Sequence, residues 1–121
     1  MSTVLIVDDS PTVRQMVSEH LENSGLTVVQ AADGVEAMEK VQASVPDLVV
    51  MDIVMPRMNG YELCRWIKNN PESKDVPIIM CTSKAEEFDR YWGMKQGADA
   101  YITKPYHPPE LLNAVNQLLG R

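Results

Sequence analysis

Short apolar runs alternate with amphipathic segments along the chain, and this alternation constrains the fold more than any other feature. The runs lie at residues 4–7, 26–29, 48–51 and 78–81, with a weaker one around 101–102. Their length and their valine and isoleucine content are typical of β-strands, and the first, third and fourth look buried on both faces. The segments between them carry apolar residues at helical spacing. The pattern predicts five strands alternating with five helices.

A chain of 121 residues suits one domain, and this alternation indicates an α/β fold in which helices cover both faces of a parallel sheet. The apolar stripe of the first helix places Met16 in the core. We expect the fourth helix to cover residues 85–96 and to end at Gly97. Its aromatic residues Tyr91 and Trp92 are interpreted as packing residues.

Polar residues that can carry chemistry stand where the predicted strands end. Asp8 and Asp9 follow the first strand, Asp52 follows the third, Thr82 ends the fourth, and Lys104 ends the fifth. In open parallel sheets, ligands bind outside the carboxyl ends of the strands. We therefore expect these five side chains to converge on one edge of the sheet, although they are scattered along the chain.

Three carboxylates in one cleft require a cation to offset their mutual repulsion. Since no histidine or cysteine is close to them in sequence, oxygen ligands and a hard ion such as Mg2+ (or Mn2+) are favoured. A lysine can pair with a carboxylate or with a phosphoryl oxygen. A carboxylate can also attack phosphorus, and phosphoryl transfer needs little beyond positioning and charge neutralisation. The set predicts a site that accepts a phosphoryl group on one aspartate.

Four motifs stand at these strand ends in the order V-D-D-S-P, M-D-I-V-M-P-R-M-N-G, C-T-S-K and Y-I-T-K-P. Together they resemble the receiver domain of two-component response regulators, the CheY-like family, over essentially the whole chain. The resemblance implies a flavodoxin-like, doubly wound (βα)5 fold whose parallel sheet has the strand order 2-1-3-4-5.

The resemblance also assigns roles to the acidic residues. It implies that Asp52 is the phosphoacceptor. It implies that Asp8, Asp9, Asp52 and the backbone carbonyl of Val54 hold the magnesium ion, Asp9 more directly than Asp8.

Three further residues match functional positions of the family. Thr82 matches the switch hydroxyl that moves toward the phosphoryl group. Lys104 matches the lysine that pairs with the phosphoacceptor or its phosphoryl oxygens, and the Lys104–Pro105 bond is expected to be cis. Tyr101 matches the aromatic residue that changes rotamer between the two states.

The stretch R-Y-W-G-M-K-Q-G-A-D-A-Y-I-T-K-P is similar to stand-alone receivers of chemotaxis-like systems for twitching motility and phototaxis. This implies one receiver domain over residues 1–121 with no output domain, in the cytoplasm, as a monomer or a weak phosphorylation-dependent dimer. The implied partners are a histidine kinase or phosphotransfer protein and a target protein. That target would bind the face formed by the fourth helix, fifth strand and fifth helix. A conventional enzymatic activity is not expected.

Charge and cysteine content exclude some classes of function. A formal net charge of -6 argues against a nucleic acid or an anionic membrane as the main partner. The longest apolar run is also too short to span a membrane. Cys64 and Cys81 form no CxxC motif, so they are interpreted as buried free thiols in a reducing cytosol rather than as zinc ligands.

Several of these residues can also be explained by local structure alone, without any role in function. Asp9 or Ser10 can cap a helix that begins at Pro11. Thr82 can be an ordinary strand-end hydroxyl, and Lys104–Pro105 can simply end a strand.

Three other kinds of protein are alternatives to a receiver that signals by phosphorylation. A phosphatase with an aspartyl-phosphate intermediate needs a general acid two residues after the nucleophile, where this chain has Val54. A flavodoxin-like cofactor protein needs a phosphate loop after the first strand, where Asp8 and Asp9 would repel a phosphate. The third alternative is a receiver that acts as a constitutive binding module without phosphorylation, or one that serves as a phosphate sink.

Overall fold

Parallel strands alternate with helices in residues 2–105 and 107–121, the part of the chain that a computed structural model describes. The strands are β1 (Thr3–Val7), β2 (Thr27–Ala31), β3 (Leu48–Met51), β4 (Ile78–Thr82) and β5 (Ala100–Thr103). The helices are α1 (Pro11–Glu22), α2 (Gly34–Ala43), α3 (Gly60–Asn69), α4 (Glu87–Gln96) and α5 (Pro108–Leu119).

The five strands form one parallel sheet in the order β2-β1-β3-β4-β5, which confirms the predicted flavodoxin-like topology. Val7, the last residue of β1, is level with Ala31 of β2 on one side and with Met51 of β3 on the other. The residues that follow Val7 and Met51 therefore emerge next to each other at the carboxyl edge of the sheet. This register is what brings Asp8 and Asp52 together.

Alternate side chains of the central strands enter two cores, one on each face of the sheet. Leu5 and Val49 belong to the core under α2, α3 and α4, while Ile6 and Val50 belong to the core under α1 and α5. Because β1 and β3 are buried on both faces, they show continuous apolar runs rather than alternation.

The structure differs from the sequence-based expectation in β2, in α4 and at Met16 of α1. Strand β2 extends to Ala31, because its ladder with β1 continues past the polar Gln30. Helix α4 begins at Glu87 rather than at residue 85, because Glu86 adopts extended backbone as the N-cap in a capping box with Asp89. The expected core position of Met16 is wrong, because its side chain lies at the edge of the α1 stripe and is 42% exposed.

Both cysteines are free and buried, as the sequence predicted. Burial raises the pKa of Cys64 to about 11 and that of Cys81 to about 12, so both thiols are protonated at neutral pH. No helix within residues 2–105 and 107–121 has the length and apolar character needed to cross a membrane.

Replacement of Ser18 in α1 by alanine should stabilise the protein. The Ser18 side chain is 2% exposed, and its hydroxyl oxygen has no hydrogen-bond partner within the described residues. We expect Ser18→Ala to raise the free energy of unfolding by about 1 kcal/mol, because it removes an unpaired buried hydroxyl and improves helix propensity. Urea denaturation measures the change.

Ser73→Ala is the matched control. Ser73 is equally buried, but its hydroxyl donates a 2.8 Å hydrogen bond to the carbonyl of Ile67. This variant should lose about 1 kcal/mol. A Ser18→Ala variant that is destabilised to the same extent as Ser73→Ala would contradict the prediction.

Candidate functional site

Three carboxylates meet at the carboxyl edge of the sheet, as predicted. Asp8 follows β1 and Asp52 follows β3, and both are buried, whereas Asp9 is exposed. One carboxylate oxygen from each of the three lies within 4.8 Å of the other two. The site is therefore open to solvent on the side of Asp9 and closed beneath Asp8 and Asp52.

Asp8 is held by bonds to every one of its polar groups. Its backbone N–H donates to the carbonyl of Ala31 at 3.2 Å, and its backbone carbonyl accepts a 2.6 Å bond from Arg14. Of its carboxylate oxygens, Oδ1 accepts from the N–H of Ser10 at 2.9 Å, and Oδ2 accepts from Lys104 at 2.7 Å. The orientation of Asp8 is consequently fixed.

Asp9 contrasts with Asp8 in its immediate surroundings. The exposed Asp9 carboxylate takes no hydrogen bond or ion pair from any residue that the structure describes. Ser10, not Asp9, caps α1, since its hydroxyl accepts a 3.3 Å bond from the N–H of Val13 and Pro11 occupies the first turn. The capping alternative thus accounts for Ser10 and leaves Asp9 available as a ligand.

One carboxylate oxygen of Asp52 accepts hydrogen bonds from the backbone, and the other accepts from a lysine. Oδ1 accepts from the N–H groups of Ile53 at 2.6 Å and Val54 at 3.2 Å, while Oδ2 accepts from Lys104 at 3.0 Å. Its own N–H donates to the carbonyl of Val7, which ties it to β1. Beside it, the Val54 side chain is more than half exposed and leaves the approach to Asp52 open.

Lys104 bridges the two buried carboxylates through one ammonium group. It is placed by the end of β5 and by a cis Lys104–Pro105 bond, as expected. Burial on its own would lower the pKa of Lys104, but the hydrogen bonds and charges of Asp8 and Asp52 outweigh this and raise the pKa above its ordinary value. Lys104 is therefore positively charged at neutral pH.

The chemistry of this donor set fits a hard divalent cation. The three carboxylates carry three negative charges against the single positive charge of Lys104, and all available ligand atoms are oxygens. Asp8, Asp9 and Asp52 are thus the side chains that would hold a hard cation such as Mg2+.

Two hydroxyls on the neighbouring strands β4 and β5 bind the same residue. Thr82 is fully buried, and its Oγ1 accepts a 3.3 Å bond from the backbone N–H of Lys84. The Tyr101 hydroxyl donates a 2.7 Å bond to the backbone carbonyl of Lys84. Burial raises the pKa of Tyr101, which keeps it a phenol able to donate. Thr82 and Tyr101 are therefore connected through the backbone of Lys84.

The fourth helix presents an aromatic surface, which the sequence interpretation had placed in packing contacts. Phe88, Tyr91 and Trp92 are 70%, 59% and 40% exposed, and the Phe88 and Trp92 rings stack with centroids 6.3 Å apart. We call these three residues the aromatic ridge. The inward side of α4 is occupied by Gly93, against which the Tyr101 ring and Met80 pack closely.

Several residues around the site were not identified from the sequence. The Arg57 guanidinium donates two bonds to Asp33 Oδ2, at 2.6 and 3.1 Å, from a backbone with φ of 67°. The N–H of Glu36 and the Arg57 guanidinium lower the pKa of Asp33. Arg14 was missed as well. No sequence pattern signals these contacts, because each depends on a long side chain that reaches a different element.

Comparison with known proteins agrees with this geometry. The family described as "Response regulator receiver domain" matches residues 4–116. The chain is 40% identical to Protein PilH of Pseudomonas aeruginosa over 120 residues, covering 99% of both chains. It is 41% identical to Protein PilG of the same organism, covering 93% of this chain and 83% of PilG. It is 39% identical to the transcriptional regulatory protein PhoP of Bacillus subtilis, but spans only 48% of that protein.

Solved structures show the same fold. A putative response regulator from Chloroflexus aurantiacus superposes with a TM-score of 0.95 at 36% identity, covering 99% of this chain and 98% of that one. The chemotaxis response regulator CheY4 of Vibrio cholerae superposes with a TM-score of 0.92, also at 36% identity, covering 98% of each chain. The fold, the motifs and these matches together place the chain in the family of CheY-like response regulator receiver domains.

Proposed function

We propose that this protein is a phosphorylation-dependent signalling switch in which Asp52 accepts a phosphoryl group from a histidine kinase or phosphotransfer protein. The observation that carries the proposal is the position of Asp52. Its carboxylate lies beside Lys104 and two further carboxylates, at the open edge of the sheet. Such a cluster supplies the nucleophile, the metal ligands and the charge neutralisation that phosphoryl transfer requires.

Each residue of the cluster has a role in the proposed transfer. An oxygen of Asp52 attacks phosphorus, and the bond from phosphorus to the donor histidine nitrogen breaks with its electron pair remaining on that nitrogen. Lys104 pairs with an oxygen of the transferred group. Asp8, Asp9, Asp52 and the carbonyl of Val54 would hold Mg2+ (or Mn2+), which when bound neutralises charge on the phosphoryl oxygens.

We propose that the signal leaves the site through Thr82 and Tyr101. In the unphosphorylated arrangement, both hydroxyls bind the backbone of Lys84. When Thr82 turns to donate to the phosphoryl group, it gives up the Lys84 N–H, and the Tyr101 ring responds. The α4-β5-α5 face then changes its affinity for a target protein, and the exposed aromatic ridge on α4 supports a protein partner for this surface.

The biological setting is proposed from relatives. PilH is matched over 99% of its length, which supports a single receiver domain over residues 1–121, and the likeness to the chemotaxis response regulator CheY4 supports a motility or taxis pathway. A histidine kinase as donor implies a cytoplasmic location. We propose a monomer or a weak phosphorylation-dependent dimer, and a switch that assists its own phosphotransfer and hydrolysis rather than a conventional enzyme. The formal net charge of -6 supports a protein rather than a nucleic acid or membrane target.

Phosphoryl uptake tests the proposal directly. With Mg2+ and acetyl phosphate, the intact mass of the wild type should increase by one phosphoryl group. Asp52→Asn should show no increase, because an amide is not a nucleophile toward phosphorus. Asp47→Asn is the matched control, since Asp47 accepts a bond from the N–H of Thr3 away from the acidic cluster. This variant should be phosphorylated normally.

Two results would contradict the proposal. Equal phosphoryl uptake by Asp52→Asn would show that a residue other than Asp52 is the acceptor. If the wild type takes up no phosphoryl group from acetyl phosphate or from a phosphorylated histidine kinase, the constitutive binding module becomes the better description.

A further inference from the structure

Arg14 lies beside the acidic cluster and binds two elements of the sheet from the first turns of α1. Its NH1 donates a 2.6 Å bond to the backbone carbonyl of Asp8, and its Nε donates a 3.2 Å bond to Oε1 of Gln30 in β2. The guanidinium therefore connects α1, the end of β1 and β2 at the edge where the site is formed.

The bond to Asp8 fixes one particular peptide plane. The carbonyl of Asp8 belongs to the planar peptide that joins Asp8 to Asp9, so its direction fixes the N–Cα bond from which the Asp9 side chain extends. Asp8 is already held at its N–H and at both carboxylate oxygens. Asp9 has no such contacts within the described residues. The orientation of the Asp9 carboxylate thus depends on this peptide and on what holds it.

The guanidinium of Arg14 is charged, but it forms no ion pair with the carboxylates of the cluster. The partners that accept its side-chain hydrogen bonds, a backbone carbonyl and a side-chain amide, are both uncharged. Lys104, by contrast, forms ion pairs with one carboxylate oxygen of Asp8 and one of Asp52. Arg14 thus brings a positive charge to the base of the cluster without pairing with any of its carboxylate oxygens.

We propose that Arg14 is a positioning residue for the magnesium site. It holds the Asp8–Asp9 peptide so that the Asp9 carboxylate faces the cleft, and Gln30 holds Arg14 in turn. The inference rests on the proposed magnesium-dependent function. Groups that orient metal ligands from behind usually change metal affinity about 10- to 100-fold when they are removed.

The test measures Mg2+ affinity by isothermal titration calorimetry on the full chain. In Arg14→Met, the Mg2+ dissociation constant should rise by about tenfold. In Arg14→Lys it should rise by several fold, because an ammonium keeps the charge but lacks the planar fork that reaches both partners. Gln30→Ala, at an exposed position of β2, should give a smaller weakening in the same direction.

A purely electrostatic role predicts the opposite sign. Removal of a positive charge beside a cation site should tighten Mg2+ binding, and Arg14→Lys should then leave it unchanged. Arg65→Met is the matched control, because Arg65 is an exposed α3 residue bonded to the Gln96 side chain away from the cluster. It should leave Mg2+ affinity unchanged.

A second readout separates positioning from general destabilisation. The Mg2+ concentration that gives half-maximal phosphorylation by acetyl phosphate should rise in Arg14→Met, while the rate at saturating Mg2+ stays near that of the wild type. A merely structural role would lower stability in urea without moving this half-saturation point. If Arg14→Met does not fold, Gln30→Ala still tests the same chain of contacts.

The outcomes distinguish this inference from the proposed function. Normal Mg2+ binding by the wild type, with unaltered or tighter binding by Arg14→Met and Gln30→Ala, overturns the role of Arg14 alone. A wild type that binds no Mg2+ at millimolar concentrations overturns the proposed function and the role of Arg14 together.

Discussion

Gly60→Ala should lower the free energy of unfolding by about 3 kcal/mol, near the upper end of what overpacking costs. A Cβ at this position would overlap the backbone carbonyl oxygen of Asp52 and would lie 2.8 Å from the Cα of Ile53. These are backbone atoms at the end of β3, so they cannot rotate aside as a side chain would. The N–H of Gly60 also donates a 2.8 Å bond to the carbonyl of Ile53, which holds the two segments together.

Urea denaturation without Mg2+ measures the loss, and phosphoryl uptake should fall in the same variant because Asp52 is displaced. Gly25→Ala is the control. Gly25 has a φ of +87° but nothing within 4 Å of an added Cβ, so only backbone strain of about 1 kcal/mol is expected. If both variants lose equal stability, the close approach of Gly60 to β3 is not what requires glycine there.

Lys104→Met should lower stability by about 2–3 kcal/mol in the absence of divalent cations, less than a fully buried pair would lose because Lys104 is partly exposed. Its ammonium lies 2.7 Å from Asp8 and 3.0 Å from Asp52, and both carboxylates are buried. Without it, two buried negative charges face each other with Asp9 close by. Methionine preserves most of the side-chain length, so the effect reports the charge.

Unfolding measured with and without Mg2+ separates the parts of this effect. An ion that binds only the native state stabilises it, and the loss of a competing positive charge should strengthen that binding. Mg2+ should therefore restore a larger share of stability to Lys104→Met than it adds to the wild type. Lys84→Met is the control, since its ammonium lies 3.7 Å from Asp89 in a partly exposed pair worth about 0.5 kcal/mol or less. Unchanged stability of Lys104→Met without Mg2+ would refute the prediction.

The sequence predicted the meeting of Asp8, Asp52, Thr82 and Lys104 because one rule governs all four. Each stands at the carboxyl end of a parallel strand, and the ladder brings such ends to a common edge. Strand composition was enough to place them, since the central strands are apolar on both faces.

Other features depended on information that periodicity does not contain. An apolar stripe shows that a helix has an inward face but not how wide the covered part is, so Met16, Tyr91 and Trp92 were placed in packing contacts and are exposed. The need for glycine at position 60 comes from the approach of two backbones, not from a turn conformation. The reach of Arg14 to β1 and β2 depends on rotamers that only the folded chain determines.

The bond from Lys104 to Asp8 joins residues 96 positions apart, and the bond to Asp52 joins residues 52 positions apart. During synthesis, Asp8 and Asp52 are therefore made before the lysine that pairs with them. A nascent or truncated chain that ends before β5 therefore holds these two carboxylates without the ammonium group that pairs with them. Contacts so distant in sequence carry an entropic cost of loop closure, which increases slowly with the number of residues between the partners. The ion pairs of Lys104 at the carboxyl edge of the sheet consequently form only once the chain has been made past β5.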